Sequence, residues 1–96
     1  MPAWEIRLTS RAQHDLDSIK KQDPSGYPPL IQDIRSLAQN PFPKPPKGKK
    51  LRGKSGILWR LRSGDYRGIY RPQPPKAIIV LCLVARKDLD RLLKRF

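Results

Sequence analysis

Five arginines carry the clearest chemical signal in this chain. Arg60, Arg62, Arg67 and Arg71 recur along two short alternating stretches, and Arg86 follows a third, aliphatic one. A guanidinium presents a rigid fork of donors that matches phosphate oxygens two at a time. Several such groups on one surface repel one another unless an anion lies among them. Asp65, Asp88 and Asp90 are the acids of the second half, too few to neutralise five arginines and the neighbouring lysines. Lys50, Arg52, Lys54 and Lys87 extend the basic set. These residue types point to an anionic partner, a nucleic acid or an acidic protein.

Other mechanisms fit poorly. A metal-dependent nuclease needs clustered carboxylates to hold its cation. The eight acids here are scattered, so neither a metal nor another cofactor is expected. His14 is the single histidine, which leaves no histidine pair and no serine triad, and a solvent-facing place on a helix suits it. Cys82 sits inside an aliphatic run and is expected to be an inert packing residue. One cysteine allows no internal disulfide and no cysteine-based zinc cluster, which fits a reducing compartment. Trp4 and Trp59 alternate with core positions and are expected to be core.

What remains is phosphoryl transfer carried by positive charge. Preorganised cations stabilise a dianionic, phosphorane-like transition state. The RNA's own 2′-hydroxyl then serves as nucleophile, which requires positioning more than a strong base. Arginine cannot accept the proton, because its pKa exceeds about 12. A lysine crowded by other cations can, since like charge lowers its pKa. Lys50, Lys54 and Lys87 are candidates, and the sequence does not choose among them.

The elements that would position these groups follow from periodicity. Trp4, Ile6 and Leu8 alternate with Glu5 and Arg7 across residues 3–8, a half-buried strand. Ser10 with Gln13 three residues later is a capping-box pattern, opening a helix that runs to about Lys21 on Ala12, Leu16 and Ile19. Asp23-Pro24-Ser25-Gly26 breaks it. A second helix uses Leu30, Ile31, Ile34, Leu37 and Ala38, with Pro28 and Pro29 in its first turn, and Asn40-Pro41 stops it. Residues 41–56 begin Pro-Phe-Pro-Lys-Pro-Pro-Lys-Gly-Lys-Lys and are expected to form a mobile basic loop.

From Ile57 the period is two. Ile57, Trp59 and Leu61 oppose Leu58, Arg60 and Arg62; after Ser63-Gly64-Asp65, Tyr66 and Tyr70 oppose Arg67, Ile69 and Arg71. Two alternating runs about a Gly-Asp pair make a hairpin. Lys76 to Ala85 is almost continuously aliphatic, as in a central strand covered on both faces. Leu89, Leu92, Leu93 and Phe96 then give a short amphipathic helix over Lys87 to Phe96. Residues 1–96 thus form one domain of the α+β class. It has a small four-stranded antiparallel-rich sheet, an N-terminal helical hairpin on one face and a short C-terminal helix, with helices mainly on one side. Ile57, Trp59, Tyr66 and Tyr70 would pack under the helices, leaving Arg60, Arg62, Arg67 and Arg71 on the open face with Arg86 beside them.

The charge balance agrees. With 21 lysines and arginines against 8 acids, the net charge is +13. Residues 1–48 hold seven basic and five acidic side chains and residues 49–96 fourteen and three, balances of +2 and +11. Self-repulsion at that density calls for a polyanion or an acidic protein. No apolar run reaches the roughly 18–20 residues that cross a bilayer, and Met1 to Glu5 lack the layout of a signal peptide. A cytoplasmic protein with no membrane partner is expected.

Between Lys50 and Asp88 the sequence resembles the RelE/ParE toxin superfamily of type II toxin–antitoxin systems. The residues that carry the resemblance are Lys50-Leu51-Arg52-Gly53, the run from Leu58 through Trp59-Arg60-Leu61-Arg62-Ser63-Gly64-Asp65-Tyr66-Arg67-Gly68-Ile69 to Tyr70, and Ala85-Arg86-Lys87-Asp88. The resemblance implies a RelE-like, metal-independent endonuclease that cuts mRNA in the ribosomal A site and so inhibits translation. Arg60, Arg67 and Arg86 match the family's functional basic positions; Arg62 lies beside them. With Lys50, Arg52, Lys54, Arg71 and Lys87 it forms the expected RNA-binding set. The implied partners are the ribosome and mRNA, a cognate acidic antitoxin, and operator DNA through the toxin–antitoxin complex alone. Two positions depart from the RelE-like pattern: Leu58 stands where some members have lysine, and Asp90 where a tyrosine is expected. These departures suit either a different base or the ParE branch, whose members poison DNA gyrase. A non-catalytic nucleic-acid-binding module is the remaining alternative.

Overall fold

The computed structural model describes residues 3–53 and 56–94. Lys54 and Phe96, both singled out above, lie outside the described residues. The chain runs β1 (Glu5–Leu8), α1 (Ser10–Gln22), α2 (Tyr27–Ser36), β2 (Gly48–Gly53), β3 (Gly56–Ser63), β4 (Tyr66–Gln73) and β5 (Ala77–Ala85), then a 3₁₀ turn (Arg86–Asp88) and α3 (Leu89–Leu93). The α+β class holds, but the sheet has five strands, ordered β1-β5-β4-β3-β2. β1 lies parallel to β5 and the other neighbours are antiparallel, so the sheet is mixed.

The extra strand is β2, which falls inside the segment expected to be a loop. Proline is confined to its first residues: the last, Pro46, precedes Gly48, and from there every residue has an N–H to give to a ladder. Gly48 to Gly53 pair residue by residue with Leu61 back to Gly56. Composition averaged over residues 41–56 hid a six-residue strand behind its prolines.

One core lies under the helical hairpin. Ala12, Leu16, Leu30, Ile34 and Leu37 from the helices meet Leu61, Tyr70, Ile78, Val80 and Leu83 from the sheet. Trp4, Trp59 and Tyr66 pack partly buried against it, whereas Ile57, expected beneath the helices, is half exposed. The opposite face carries a second cluster of Leu58, Ile69, Cys82 and Leu92, flanked by Leu51, Leu89 and Leu93. α3 therefore covers the face away from the hairpin, which corrects the expectation of helices mainly on one side. The reason is β5, aliphatic on both faces, which requires cover twice.

Helix α1 starts one residue earlier than the capping-box pattern suggests. Thr9 is the cap, its hydroxyl accepting from the Ala12 N–H at 3.0 Å, while Gln13 turns to Asp17. The same Thr9 hydroxyl donates to the Leu81 carbonyl at 2.7 Å, and the Asp15 carboxylate accepts from the Leu83 N–H at 3.0 Å. β1 pairs with β5 only from Ala77 to Val80, so these two side chains satisfy the backbone beyond its end. Pro28 and Pro29 occupy the first turn of α2, as expected.

Candidate nucleic-acid interface

The β3–β4 hairpin presents the arginines. Its ladder sets Arg62 opposite Arg67 and Ser63 opposite Tyr66, leaving Gly64 and Asp65 as the two-residue turn. Gly64 takes φ +57°, where a side chain is disfavoured, at the position a II′ hairpin reserves for glycine. The turn's carbonyls organise the charges around it. One terminal nitrogen of Arg67 donates to Gly64 O at 2.9 Å and to Tyr66 O at 2.8 Å. The Arg86 N–H donates to Asp65 O at 2.7 Å, which fixes the end of β5 against the same turn.

Arg67 is the buried member, 6 % exposed. Its guanidinium is held below its ordinary pKa, first by burial and then by the positive charges of Arg62, Arg60 and Arg86, with Asp65 opposing weakly. Arg60, Arg62, Arg67 and Arg86 are thus brought together as one electrostatic group. Arg62 and Arg86 are exposed; Arg60 is half-buried and donates to the Pro46 carbonyl at 3.0 Å. Its Nε is buried with no hydrogen-bond partner among the described residues. No carboxylate among the described residues forms an ion pair with any of the four: Asp88 pairs instead with Arg91 at 2.6 Å.

The wider basic set divides. Lys87 is exposed in the 3₁₀ turn beside Arg86. Arg71 lies on β4 opposite Ile79 of β5, two positions beyond Ile69, so the apolar cluster separates it from the arginine group. Lys50 and Arg52 pair with Trp59 and Ile57 in the β2–β3 ladder and belong to the opposite face. Lys50 there lines a recess of about 290 Å³ with Trp4, Phe42, Ile57, Trp59, Pro72 and Pro74. The arginine face is not wholly open either, since α3 and its leucines occupy the half away from the turn.

Lys49 is the basic residue the sequence reasoning missed. It lies directly opposite Arg60. Reading residues 48–53 with period two, rather than as loop, would have separated Lys49 from Lys50 and Arg52. The remaining candidates behave as expected from their settings. Cys82 is buried, its thiol pushed up to about 11 by desolvation, and His14 is exposed on α1. No helix among the described residues is long and apolar enough to cross a membrane.

A compact mixed sheet, a two-helix cover and a cation cluster at one hairpin turn define a small basic α+β fold that recurs among solved structures. The toxin chain of the RelBE2 toxin–antitoxin complex from Mycobacterium tuberculosis superposes with a TM-score of 0.70 at 24 % identity, covering 88 % of this chain and 99 % of that one. The YoeB/ParE toxin from Agrobacterium tumefaciens gives 0.71 at 19 % identity, with coverages of 84 % and 96 %. YafQ from E. coli strain BL21(DE3) gives 0.70 at 16 % identity, with coverages of 90 % and 97 %. At these identities the likeness shows the fold. Comparison with curated protein sequences gives no match. Residues 6–89 match the family model described as the ParE toxin of the type II toxin–antitoxin system parDE. The chain belongs to that family, within the RelE/ParE superfamily of type II toxins.

Proposed function

We propose that this toxin is a ribosome-dependent mRNA endonuclease that cleaves without metal in the A site and inhibits translation. The observation that carries the reading is the group formed by Arg60, Arg62, Arg67 and Arg86, which has no ion-paired carboxylate among the described residues. Arg60, Arg62 and Arg86 contact the RNA backbone. Arg67 is enclosed and hydrogen-bonded to the turn, so it contributes positive field and braces the turn from which the group fans out. Preorganised charge of this kind stabilises the developing dianion without reorganisation during the reaction. The protein works in the cytoplasm on translated messages, and a cognate acidic antitoxin neutralises it. The RelBE2 and YoeB–YefM toxin–antitoxin complexes among its structural relatives support such a partner. Operator DNA is reached only through the toxin–antitoxin complex.

A second reading is favoured by the ParE description of the matching family and by Leu58 and Asp90 at two RelE-like positions. In it the toxin inhibits DNA gyrase by protein contact. The deciding experiment expresses the chain from a tight promoter, maps mRNA 5′ ends across the transcriptome and assays gyrase supercoiling with the purified protein. New ends at a fixed position within codons of translated messages establish the nuclease. Growth arrest with inhibited supercoiling and no new ends establishes the gyrase reading.

A further inference from the structure

We infer that the RNA-binding surface extends across β2 through Lys49, while the adjacent Lys50 takes no part in it. This rests on the nuclease reading above and adds a contact residue to it.

The ladder supplies the geometry. Lys49 pairs with Arg60, Leu51 with Leu58, and Lys50 with Trp59. Directly opposed residues on antiparallel strands share a face with their Cβ atoms about 5 Å apart. Lys49 therefore stands on the arginine face, and Lys50, one residue on, stands on the face of Trp59. The clusters confirm this alternation, because Leu51 and Leu58 pack with the group under α3, whereas Trp59 packs with the hairpin core.

Energetics give the second argument. Two like charges directly opposed across a sheet are destabilising. Lys49 is exposed and makes no ion pair among the described residues. Beside it the buried Nε of Arg60 also lacks an acceptor. A polyanion on this face offsets the repulsion between Lys49 and Arg60.

Placement gives the third. Arg60 and Arg62 lie on β3, Arg67 on β4 and Arg86 just past β5, so the group spans the three middle strands of the sheet. Lys49 lies on the other side of Arg60, on the edge strand. With it the cations form a track from β2 to the end of β5. A strand held at Arg60 then has a cation waiting for the next phosphate in each direction.

The test uses the intact protein and a short fluorescein-labelled oligouridine, with affinity measured over a range of salt concentrations. Lys49→Ala and Lys50→Ala remove the same charge from neighbouring residues, so net charge is controlled. Lys49→Ala is expected to weaken binding several-fold and to reduce the log–log salt slope by about 0.7, the contribution of one phosphate contact to a single strand. Lys49→Gln should do the same and Lys49→Arg should restore it. Lys50→Ala should keep the wild-type slope. Equal small effects of Lys49→Ala and Lys50→Ala, with Arg60→Ala still strongly impaired, overturn this inference and leave the nuclease reading standing. Wild-type binding by Arg60→Ala overturns the reading of the surface itself.

Discussion

The two faces of the sheet treat charge in opposite ways. Under the helical hairpin, acids from the helices and their connecting turn close onto polar groups of the sheet. Asp15 accepts from the Leu83 N–H, Asp23 from the Tyr66 hydroxyl at 2.8 Å, and Asp33 from the Ser63 hydroxyl at 2.6 Å while pairing with Lys47. On the other face Lys49, Arg60, Arg62, Arg67 and Arg86 gather without an ion-paired acid among the described residues. Glu5 is held by Arg7 and Asp17 by Gln13, so each of the five acids in residues 1–48 has a partner elsewhere. Folding therefore concentrates the excess positive charge of the second half instead of averaging it away. One face is arranged for stability and the other keeps its repulsion for a ligand.

The largest expected effect separates the two directly. Arg60→Ala should lower cleavage of ribosome-bound mRNA by about 10²–10³-fold, the usual cost of removing one preorganised charge donor. Its melting temperature should stay near that of the parent, because Arg60 sits among like charges. A large fall in stability with little loss of cleavage would erase the division of labour.

Asp15→Ala tests the opposite face. The buried Leu83 N–H loses its acceptor, which should cost about 1–3 kcal/mol in denaturant unfolding and leave RNA affinity unchanged. Gly64→Ala comes next. A methyl group there meets nothing within 4 Å, so the penalty is purely that of the backbone at φ +57°, about 1–2 kcal/mol in the same measurement. A neutral result would mean that the turn relaxes into another conformation.

The smallest effect is one of pH. The Tyr66 hydroxyl, then the Gly26 N–H and the Ser25 hydroxyl, hold the Asp23 carboxyl below its ordinary pKa, with burial opposing. The unfolded chain binds that proton more readily, so this contribution is present above the ordinary carboxylate range and is lost as pH falls through it. Tyr66→Phe should flatten the decline of melting temperature in acid, below about pH 4. An unchanged acid limb would show that Asp23 contributes nothing to it.

Much of this arrangement was legible in the chain. Alternation in 57–62 and 66–71 put Trp59 and Tyr70 on one face and Arg60, Arg62 and Arg67 on the other, and the structure keeps that division. The strand expected over Lys76 to Ala85 is β5, which begins one residue later at Ala77. Less legible was whatever depended on partners distant in sequence. β2 was hidden because its own pattern is weak and its strand character comes from pairing with β3. Lys50 and Arg52 were grouped with the arginines for charge alone, and strand phase sends them to the other face.

The sequence alone determined the local periods, the tight turn at Gly64 and the charge excess, because these depend on residue type and near neighbours. Tertiary structure decided which cations share a surface. The face chosen by α3, the fifth strand and the register of β2 follow from burying both sides of β5 and satisfying distant backbone groups. Those requirements exist only once the sheet has assembled.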